Sequence, residues 1–526
     1  MNLRNSAFKI WILTTILMVS CDKGFEEMNV NPNAYVDPVI GSVFSLNIIR
    51  TAGWNDGNTQ YPNDKLAGAM MQYFASLNPY QWTGDKYLHK PEYTDGLFNS
   101  VYRTELKETQ QLIALTKDNP DLVNHYNIMR IFRVHIMHRC TDMYGDVPYF
   151  DAGKGYTDGM YKPAFDKQSD IYADMLKELE EAANNFDPSK PSFGSADYIF
   201  NGDVTKWKTW AYSLMLRLGM RMTKVDPAMA EIWVKKAIAG GVMTSNDDIP
   251  LLEHTDGDQY QRNNDTYRMS RGEGVPISAK GTGYGKMGET FVSMLRDMND
   301  PRLPFYITLW QGNADPSKLP QSTEPSLQKG IPHGYDYSTI KTIIPDWTDA
   351  MLAEYSEINL NSISSNAAPT IFQHYSEVEY YLAEAALRGW DIGTPQEHYE
   401  RGLRASMAVE SLYPGGFSVS ENQILEYLTQ HPYKATGTFE EQMEQIHTQL
   451  YLSNFMNNIE TYSNWRRTGY PILVPTNYPG NQTGGTIPRR IPWPQTEASL
   501  NTENYNIAIQ NQGPDLWTTR VWWDKQ

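Results

Sequence analysis

Amphipathic helical patterns recur through most of this 526-residue chain, and they limit it to an all-α fold with little β structure. Apolar residues return at spacings of three and four, so each segment would bury one stripe against a neighbour. The pattern predicts helices at about 122–144, 168–186, 203–224, 226–240, 371–390, 395–411, 421–430 and 439–464. Short links between consecutive helices favour antiparallel pairs around a common core.

The segment 376–411 comes closest to a repeat unit of the tetratricopeptide type. Its first helix places Val378, Tyr381 and Ala385 on one inward stripe, and its alanines allow a second helix to approach closely. The repeat consensus is not matched well enough to count units. We therefore predict helix pairs resembling tetratricopeptide repeats, without a regular solenoid.

Two long segments interrupt the helical pattern, at about 241–287 and 311–370, and both are rich in Gly, Asn, Asp, Pro and Ser. Loops of this length inside a compact domain are usually functional or disordered. The tail 471–526 is likewise predicted to be irregular. Since no linker divides the chain, we predict a single helical domain over 41–526 with loop excursions at the two places named.

The N-terminal stretch KIWILTTILMVSC, from Lys9 to Cys21, predicts a targeting segment. Its apolar part is too short for a membrane span, which needs about 20 apolar residues, and it follows positive charges as in a secretory signal. An apolar run, a small residue and a cysteine together resemble a bacterial lipobox. We predict a lipoprotein signal peptide over 1–20, lipidation of Cys21 and an extended leader over 21–40. An ordinary signal peptide with an incidental cysteine is the alternative.

Composition narrows the function further. If Cys21 is acylated, Cys140 is the one cysteine left, so no internal disulfide is expected and stability must come from core burial. The net charge of −17 argues against binding nucleic acid, which needs a basic face. The 34 Tyr and 14 Trp side chains combine a flat apolar ring with a polar edge, which suits a wet surface that binds amphipathic ligands.

No motif of nucleotide, hydrolase or metal chemistry is complete in this sequence. The glycine-rich stretch KGTGYGKMGE (280–289) lacks the first Gly and the Ser or Thr of a phosphate-binding loop. His135, His138 and Asp142 share a helical face, but His135 lies on the apolar stripe, which favours a core role over metal binding. Acidic residues in the loops lack the spacing of a calcium loop. We predict no cofactor, with a structural calcium ion left open.

An extracytoplasmic, all-helical glycoside hydrolase is the alternative to a binding protein. Such an enzyme needs two carboxyl groups that flank the scissile bond, and 62 Asp and Glu residues supply many candidates. Pairs such as Glu180–Glu181 and Glu440–Glu441 lie on amphipathic helices, where solvated charges are usual. Since no pair stands out as acid and base, no catalytic residue is predicted.

Six stretches spread over nearly the whole chain point to one family. They are FEEMNVNPN (25–33), TDMYGDVPYFDA (141–152), YYLAEAALRGW (380–390), NWRRTGYP (464–471), IPRRIPWPQTE (487–497) and VWWDK (521–525). In this order and near these positions, they resemble the SusD/RagB family of nutrient-binding outer-membrane lipoproteins.

The resemblance implies a helical fold with tetratricopeptide-like pairs and no catalysis. It also implies a lipid anchor in the cell outer membrane, facing the extracellular side. The implied partner is a SusC-type TonB-dependent transporter, over whose mouth the protein sits as a lid. The expected function is capture of a glycan or an oligopeptide and delivery to that transporter. A purely structural surface protein, which would bind no ligand, is the third hypothesis.

Considered residue by residue, the family motifs predict structural roles. Gly145 can take a positive φ at a helix end. Trp522 and Trp523 are predicted to dock the end of the chain. Four arginines are predicted to hold loops through contacts with carboxylate or carbonyl oxygens, namely Arg466, Arg467, Arg489 and Arg490.

The ligand site is predicted on aromatic residues of the irregular segments and on their polar neighbours. An aromatic ring offers an apolar face, and a nearby amide or carboxylate can bond the hydroxyl or amide groups of a ligand. The predicted ligand-binding residues are Asn78, Tyr80, Trp82, Asp85, Tyr87, Trp310, Tyr335 and Trp347. Weak binding is expected, because aromatic contacts of about 0.5–1.5 kcal/mol each are offset by ordering costs.

Overall fold

The computed structural model describes residues 39–53, 60–256, 285–310 and 321–526. The predicted signal peptide, the lipidated Cys21 and most of the predicted leader lie outside these ranges. Among the described residues, no helix combines the length and the apolar character that a membrane span requires.

Helices dominate the fold, as the hydrophobic periodicity predicts. The α-helices are α1 Ile40–Ala52, α2 Pro91–Thr94, α3 Gly96–Ser100, α4 Leu106–Thr116, α5 Val123–Tyr144, α6 Gly155–Asp158, α7 Gln168–Asn184, α8 Val204–Arg221, α9 Pro227–Gly240, α10 Glu289–Asp297, α11 Leu303–Tyr306, α12 Tyr375–Leu387, α13 Pro395–Ala408, α14 Glu421–Gln430, α15 Phe439–Ser453, α16 Asn458–Thr468, α17 Gln495–Leu500 and α18 Thr502–Gln512. Two π-helical segments are Gln60–Gly68 and Val101–Glu105. Short 3₁₀ turns occur at Gly84–Lys86, Pro120–Leu122, Gly194–Ala196, Asn246–Asp248, Pro325–Leu327, Thr339–Thr342, Asp349–Glu354 and Val409–Leu412.

Strands are short and antiparallel, and most lie in the predicted loop excursions. They are β1 Phe74–Ala75, β2 Leu251–Leu252, β3 Lys286–Met287, β4 Ile307–Trp310, β5 Gln321–Ser322, β6 Glu357–Ile358 and β7 Thr370–Ile371. β1 pairs with β3, β2 pairs with β7, and β4 lies between β5 and β6. These ladders fasten the irregular segments to the helical body.

The helices pack in pairs and triplets around one main hydrophobic core. α8 packs against α7 and α9, and α12 packs against α13 and α15. The core is continuous from Phe44 in α1 to Trp523 near the C terminus, and both side chains are fully buried. The predicted all-α fold with little β structure is confirmed.

Capping residues set the ends of several helices. Asp203 caps α8 by accepting hydrogen bonds from two backbone N–H groups of the first turn. Ser420 and Thr438 begin α14 and α15 with capping boxes. Gly145 ends α5 with a φ of 84°, which confirms the predicted positive φ at this helix end.

The predicted helix at 439–464 is wrong as a single element, because the structure divides it into α15 and α16. Asn63 Oδ1 accepts hydrogen bonds from the backbone N–H groups of Asn458 at 3.0 Å and Ile459 at 3.1 Å, and so satisfies the first turn of α16. This cap comes from a side chain 395 residues away. Local periodicity carries no sign of it.

The prediction of an irregular tail over 471–526 is also wrong in part, since the tail contains α17 and α18. The apolar stripe of α18 is short, with Ala508 buried and Tyr505 and Ile509 partly buried against the main core. A polar contact adds to this packing, because Gln512 Nε2 at the end of the helix donates to the backbone oxygen of Tyr144 at 3.1 Å.

The end of the chain is docked by its tryptophans, as predicted. Trp523 is fully buried, and its Nε1 donates to Asp142 Oδ1 at 3.0 Å. Trp522 is half-buried, with its ring 5.7 Å from that of Tyr172. The C terminus therefore contributes to the core rather than trailing into solvent.

Three of the four arginines of the family motifs hold loops, as predicted, whereas Arg467 pairs with Glu384 of the helix α12, so the prediction of a loop contact is wrong for Arg467. Arg466 donates to the backbone oxygens of Asp142 and Arg489 at 2.6 and 3.0 Å. Arg489 and Arg490 each form an ion pair with an aspartate of the C-terminal tail. Arg466 and Arg490 are almost fully buried, so each contact replaces hydration that the guanidinium has lost.

Buried ion pairs join helices that are distant in sequence. Arg217 of α8 is bidentate with Glu377 of α12, at 2.7 and 2.9 Å. One turn later, Arg221 donates to Glu460 of α16 at 2.6 Å, and its Nε lies 3.5 Å from Asp142 of α5. All five side chains are at most 3% exposed. Four helices therefore meet on one charged layer inside the core.

A second buried group joins α12, α15 and α16. Arg467 is bidentate with Glu384 at 2.7 and 2.6 Å, and His447 lies 2.9 Å from the same carboxylate. Burial by itself would raise the pKa of Glu384, and also that of Glu460 in the first group. The arginines instead lower the pKa of Glu460 to about 2 and that of Glu384 well below its usual range. Both carboxylates are therefore charged in the folded protein.

Replacement of Arg467 by Ala should strongly destabilise the fold, because it leaves Glu384 buried without its bidentate partner. We expect the free energy of unfolding to fall by about 3–5 kcal/mol, measured by urea denaturation followed by circular dichroism. The matched control is Arg404→Ala, which breaks the exposed pair of Arg404 with Glu421 and should cost less than about 1 kcal/mol. Equal losses in the two variants would contradict a structural role for the buried layer.

Candidate functional site

Three irregular segments contact one another and form what we name the loop cluster: residues 76–87, 333–339 and 474–486. Each segment joins elements of the main body, and none contains an α-helix. Several aromatic residues predicted to bind ligand lie in the first two segments. The contacts that hold the cluster together determine which of those rings face solvent.

A buried ion pair fastens the second segment to the first. Asp85 and Lys86 form this pair at 2.8 Å with both side chains at most 1% exposed. Lys86 also donates to the backbone oxygen of Ser76, and Asp85 Oδ2 accepts from Gly334 N at 3.4 Å. Burial raises the pKa of Asp85, and the adjacent Lys86 opposes that rise. The Asp85 carboxylate therefore braces the cluster from inside.

The third segment is held by hydrogen bonds to the first. Thr476 Oγ1 donates to the backbone oxygen of Asp85 at 2.7 Å, and Thr476 N donates to the hydroxyl of Tyr87 at 3.2 Å. Gln482 N donates to the backbone oxygen of Tyr87 at 2.9 Å. A residue near the N terminus of the domain thus positions a loop near the C terminus.

Asp336 links the second and third segments. It accepts hydrogen bonds from Ser338 N at 2.8 Å and Thr339 N at 2.7 Å, and its Oδ2 accepts from the hydroxyl of Tyr478 at 2.7 Å. Partial burial would raise the pKa of Asp336, but these donors hold it well below its usual range. Asp336 is therefore ionised throughout the physiological pH range and fixes the orientation of the Tyr478 ring.

A small hydrophobic cluster, separate from the main core, supports the second segment from beneath. Its buried members are Ala75, Leu77, Ile331, Ile340, Trp347, Leu352 and Tyr355. Tyr335 and Tyr337 are half-buried and pack against it. The excursion over 321–370 thus has its own core, which keeps these two tyrosines at the edge of the protein.

Four tyrosines of the loop cluster, together with Asn78, form what we name the tyrosine surface. The tyrosines are Tyr80, Tyr335, Tyr337 and Tyr478. Tyr80 is 81% exposed, and Asn78 Oδ1 accepts a hydrogen bond from its backbone N–H at 3.0 Å. Burial and the hydrogen-bonded Asp336 carboxylate, with a smaller contribution from Tyr80, raise the pKa of Tyr478 to about 12.

The structure separates the predicted ligand-binding residues into two groups. Asn78, Tyr80 and Tyr335 are at least partly exposed on the tyrosine surface. The others described with their side chains are nearly fully buried: Trp82 at 1%, Asp85 at 2%, Tyr87 at 1% and Trp347 at 4% exposure. In this conformation the buried rings are not presented to a ligand. The ligand-binding role of the whole set stays a prediction.

Trp310 ends β4, where it pairs with Gln321 of β5, and its side chain lies outside the described part of the structure. Trp82 instead packs in the main core, with its ring 5.5 Å from that of Phe74. Trp347 belongs to the smaller cluster, 5.8 Å from the ring of Tyr355. The two described tryptophans therefore support the site from within.

Sequence reasoning missed Tyr337, Tyr478 and Asp336. The tail was treated as a single irregular segment, although YPGNQTGG (478–485) places a tyrosine at the start of a Gly- and Asn-rich loop. That pattern is the same signal that identified Tyr80. The contact of this loop with Asp336 spans 142 positions, and no local pattern indicates it.

The histidines considered as metal ligands have core roles. His135 is 2% exposed, with its ring 5.2 Å from that of Trp210. His138 Nδ1 lies 2.8 Å from the backbone oxygen of His135, and burial lowers the pKa of His138 to about 3. Asp142 accepts hydrogen bonds in the core, as described above. Within the described ranges, no three His, Cys, Asp or Glu side chains are grouped as a metal site.

Comparisons with known proteins identify similar chains. A family model named SusD-like, described as starch-binding and associating with the outer membrane, matches residues 32–494. A solved structure named a chitin-binding protein is 31% identical over 92% of this chain and 100% of that chain, with a TM-score of 0.77. A SusD-like protein from Bacteroidetes is 25% identical over 93% of this chain and 100% of that one, with a TM-score of 0.82.

A chitin-binding SusD homolog from Flavobacterium johnsoniae is 23% identical over 92% of this chain and 98% of its own, with a TM-score of 0.76. At this identity the likeness concerns the fold. A search of curated proteins returned no match.

Replacement of His333 by Gln should flatten the pH dependence of stability. His333 Nε2 lies 3.0 Å from the backbone oxygen of Gln72, and burial lowers the pKa of His333 to about 4. The unfolded chain takes up this proton near pH 6.5, so it binds more protons than the folded protein between those values. The stabilising contribution is thus complete above pH 6.5 and is lost as the pH falls towards 4.

We expect the free energy of unfolding of the unchanged protein to fall more steeply between pH 6.5 and 4 than that of the variant, by on the order of 1–3 kcal/mol. Urea denaturation at a series of pH values measures the difference. His89→Gln, at an exposed position, serves as the control and should follow the unchanged protein. Parallel curves for all three proteins would contradict a His333 that is held neutral in the folded protein.

Proposed function

The chain belongs to the SusD-like family, and from that membership we propose that it captures an oligosaccharide at the outer membrane and passes it to a SusC-type TonB-dependent transporter. The family is associated with the outer membrane, and its members are binding proteins rather than enzymes. No catalytic pair of carboxylates emerges from the loop cluster, where Asp85 and Asp336 are both engaged in structural contacts.

We place the ligand on the tyrosine surface. The observation that supports this most directly is Tyr80, whose side chain is 81% exposed in the first segment of the loop cluster. An exposed aromatic ring offers an apolar face on which a sugar ring can stack. Asn78 adds an amide beside Tyr80, which offers both a donor and an acceptor to sugar hydroxyls.

A glycan is preferred to an oligopeptide because two similar structures are named as chitin-binding. Stacking of a few rings, at about 0.5–1.5 kcal/mol each, gives modest affinity. A dissociation constant near 1 mM corresponds to about −4.1 kcal/mol. Modest affinity suits a protein that must release its ligand to a transporter.

Replacement of Tyr80 by Ala should weaken binding of chitotetraose roughly three- to tenfold, because it removes one exposed stacking ring. Isothermal titration of the purified mature protein measures the affinity. Tyr161→Ala is the matched control, since Tyr161 is also 81% exposed but lies beside Gly155, outside the loop cluster. Unchanged affinity in Tyr80→Ala would show that the ligand does not bind to the tyrosine surface.

The same titration distinguishes the remaining hypotheses. Recovery of shortened sugar after incubation would support the glycoside hydrolase, whereas intact sugar supports a binding protein. Preference for a tetrapeptide over chitotetraose would support an oligopeptide ligand. Absence of binding to glycans and peptides alike would favour a purely structural protein.

Replacement of Cys21 by Ser should release the protein from the membrane, because the proposed acyl chains are attached to that thiol. In cells of its source organism, the unchanged protein should fractionate with the outer membrane and co-purify with a large β-barrel transporter. The variant should lose both properties while it keeps its affinity for chitotetraose. An unmodified thiol in mass spectra of the mature N terminus would contradict the anchor.

A further inference from the structure

A second cleft lies away from the loop cluster and shares no residue with it. It has a volume of about 790 Å³ and lies between the turn at 197–203 and the extended segment at 251–255. We name it the 197–255 cleft. Its volume falls within the range of small-molecule sites, which is about 300–1,000 Å³.

The floor of the 197–255 cleft is apolar. Ile49 of α1, Ile199, Phe200 and Leu252 line it, and the last three are at most 9% exposed. The rim is polar and includes the side chains of Tyr198, Asn201 and Glu253. An apolar base beneath a polar rim matches a ligand that has an apolar face and polar edges.

One wall of the cleft is rigid because Asp197 organises it from inside. The Asp197 carboxylate accepts hydrogen bonds from the backbone N–H groups of Ile199 at 3.0 Å and Gly202 at 2.9 Å, and from Trp207 Nε1 at 2.6 Å. Gly202 has a φ of 79°, and a Cβ there would come within 2.6 Å of Gly194 N. These contacts hold the turn in its conformation without a ligand.

The opposite wall is fixed by pairing with β7. Leu251 and Leu252 pair in register with Ile371 and Thr370. His254 Nε2 lies 2.8 Å from the hydroxyl of Thr370, which orients the imidazole at the rim. Neither wall depends on the ligand for its geometry, so little ordering cost opposes binding.

Two charged residues of the rim are engaged in structural contacts. Asp203 is occupied as the cap of α8, and Lys206 Nζ donates to the backbone oxygen of Asp247 at 2.8 Å. By contrast, the side chains of Tyr198, Asn201 and Glu253 form no hydrogen bond or ion pair with any other described residue.

These three side chains determine the class of ligand. The ring of Tyr198 is 49% exposed and offers a stacking face. The Asn201 amide donates and accepts, and the Glu253 carboxylate accepts from hydroxyl groups. A carboxylate at the rim repels anionic ligands, whereas it favours a neutral ligand rich in hydroxyl donors.

We propose that the 197–255 cleft is a second binding site, for a neutral oligosaccharide whose ring stacks on Tyr198 and whose hydroxyls bond Asn201 and Glu253. This assignment rests on the geometry of the cleft and does not require that the tyrosine surface bind the same ligand. A chain with two separate sites would hold a long glycan at two points along its length.

Methyl-resolved NMR of the mature chain tests the proposal, with chitotetraose and maltotetraose as probes. Either sugar should shift the methyl signals of Ile199 and Leu252, which line the cleft. The shifts should persist in Tyr80→Ala, where the proposed first site is damaged. In Tyr198→Ala the apparent dissociation constant at the cleft should rise roughly three- to tenfold.

Asn201→Gly is a second variant that keeps the fold, because Asn201 has a φ of 52°, which glycine adopts readily. It should also weaken the response of the cleft, while Tyr161→Ala should leave it unchanged. The proposal is overturned if neither sugar shifts these methyl signals at about 10 mM, a concentration well above the expected dissociation constant. It is equally overturned if a tetrapeptide shifts them and the sugars do not. Loss of the response in Tyr80→Ala alone would show a single site, on the tyrosine surface.

Discussion

Buried pairing between arginines and carboxylates is the interaction on which this fold depends. Arg217, Arg221 and Arg467 join helices whose carboxylate partners lie up to 239 positions away in sequence. Removal of one partner of such a pair typically costs about 3–5 kcal/mol, and a whole domain is stabilised by about 5–15 kcal/mol. The same pairs disfavour every arrangement that leaves a charge buried and alone. They therefore specify how the helix pairs are arranged, a choice that hydrophobic burial alone leaves open.

This arrangement also places the loops. Arg467 fixes the end of α16 against α12, and the chain then leads through Gly469 into the segment that carries Thr476 and Tyr478. The Asp85–Lys86 pair repeats the principle on a smaller scale, since it braces two loop segments from inside. Contacts within the folded chain thus hold the segments of the loop cluster together, and the tyrosine surface is present in the structure without a ligand.

Prediction from sequence succeeded where the signal is local or belongs to an ordered set of motifs. The helix α14 was predicted to the residue, and Gly145 takes the positive φ expected of it. Prediction failed where distant contacts decide the structure. Asn63 caps the start of α16 from 395 positions away, and Trp347 is buried because the excursion around it has its own small core. For an aromatic residue in an irregular segment, the local sequence does not show whether its ring is buried beneath a surface or exposed on it.

The energetics of capture follow from the contacts that hold the loop cluster together. A loop that orders on binding subtracts about 0.5–1.5 kcal/mol for each side chain that it immobilises, which is as much as one stacking contact provides. In the loop cluster, the contacts of Asp85, Asp336 and Thr476 order the loops during folding, so this entropy cost does not fall on ligand binding. A few exposed rings can then retain a sugar with modest affinity. If the loop cluster keeps this conformation on binding, release can be as fast as the weak contacts allow. In the proposed function, delivery to a transporter makes rapid release as important as capture, and a surface formed by hydrogen bonds within the fold satisfies both.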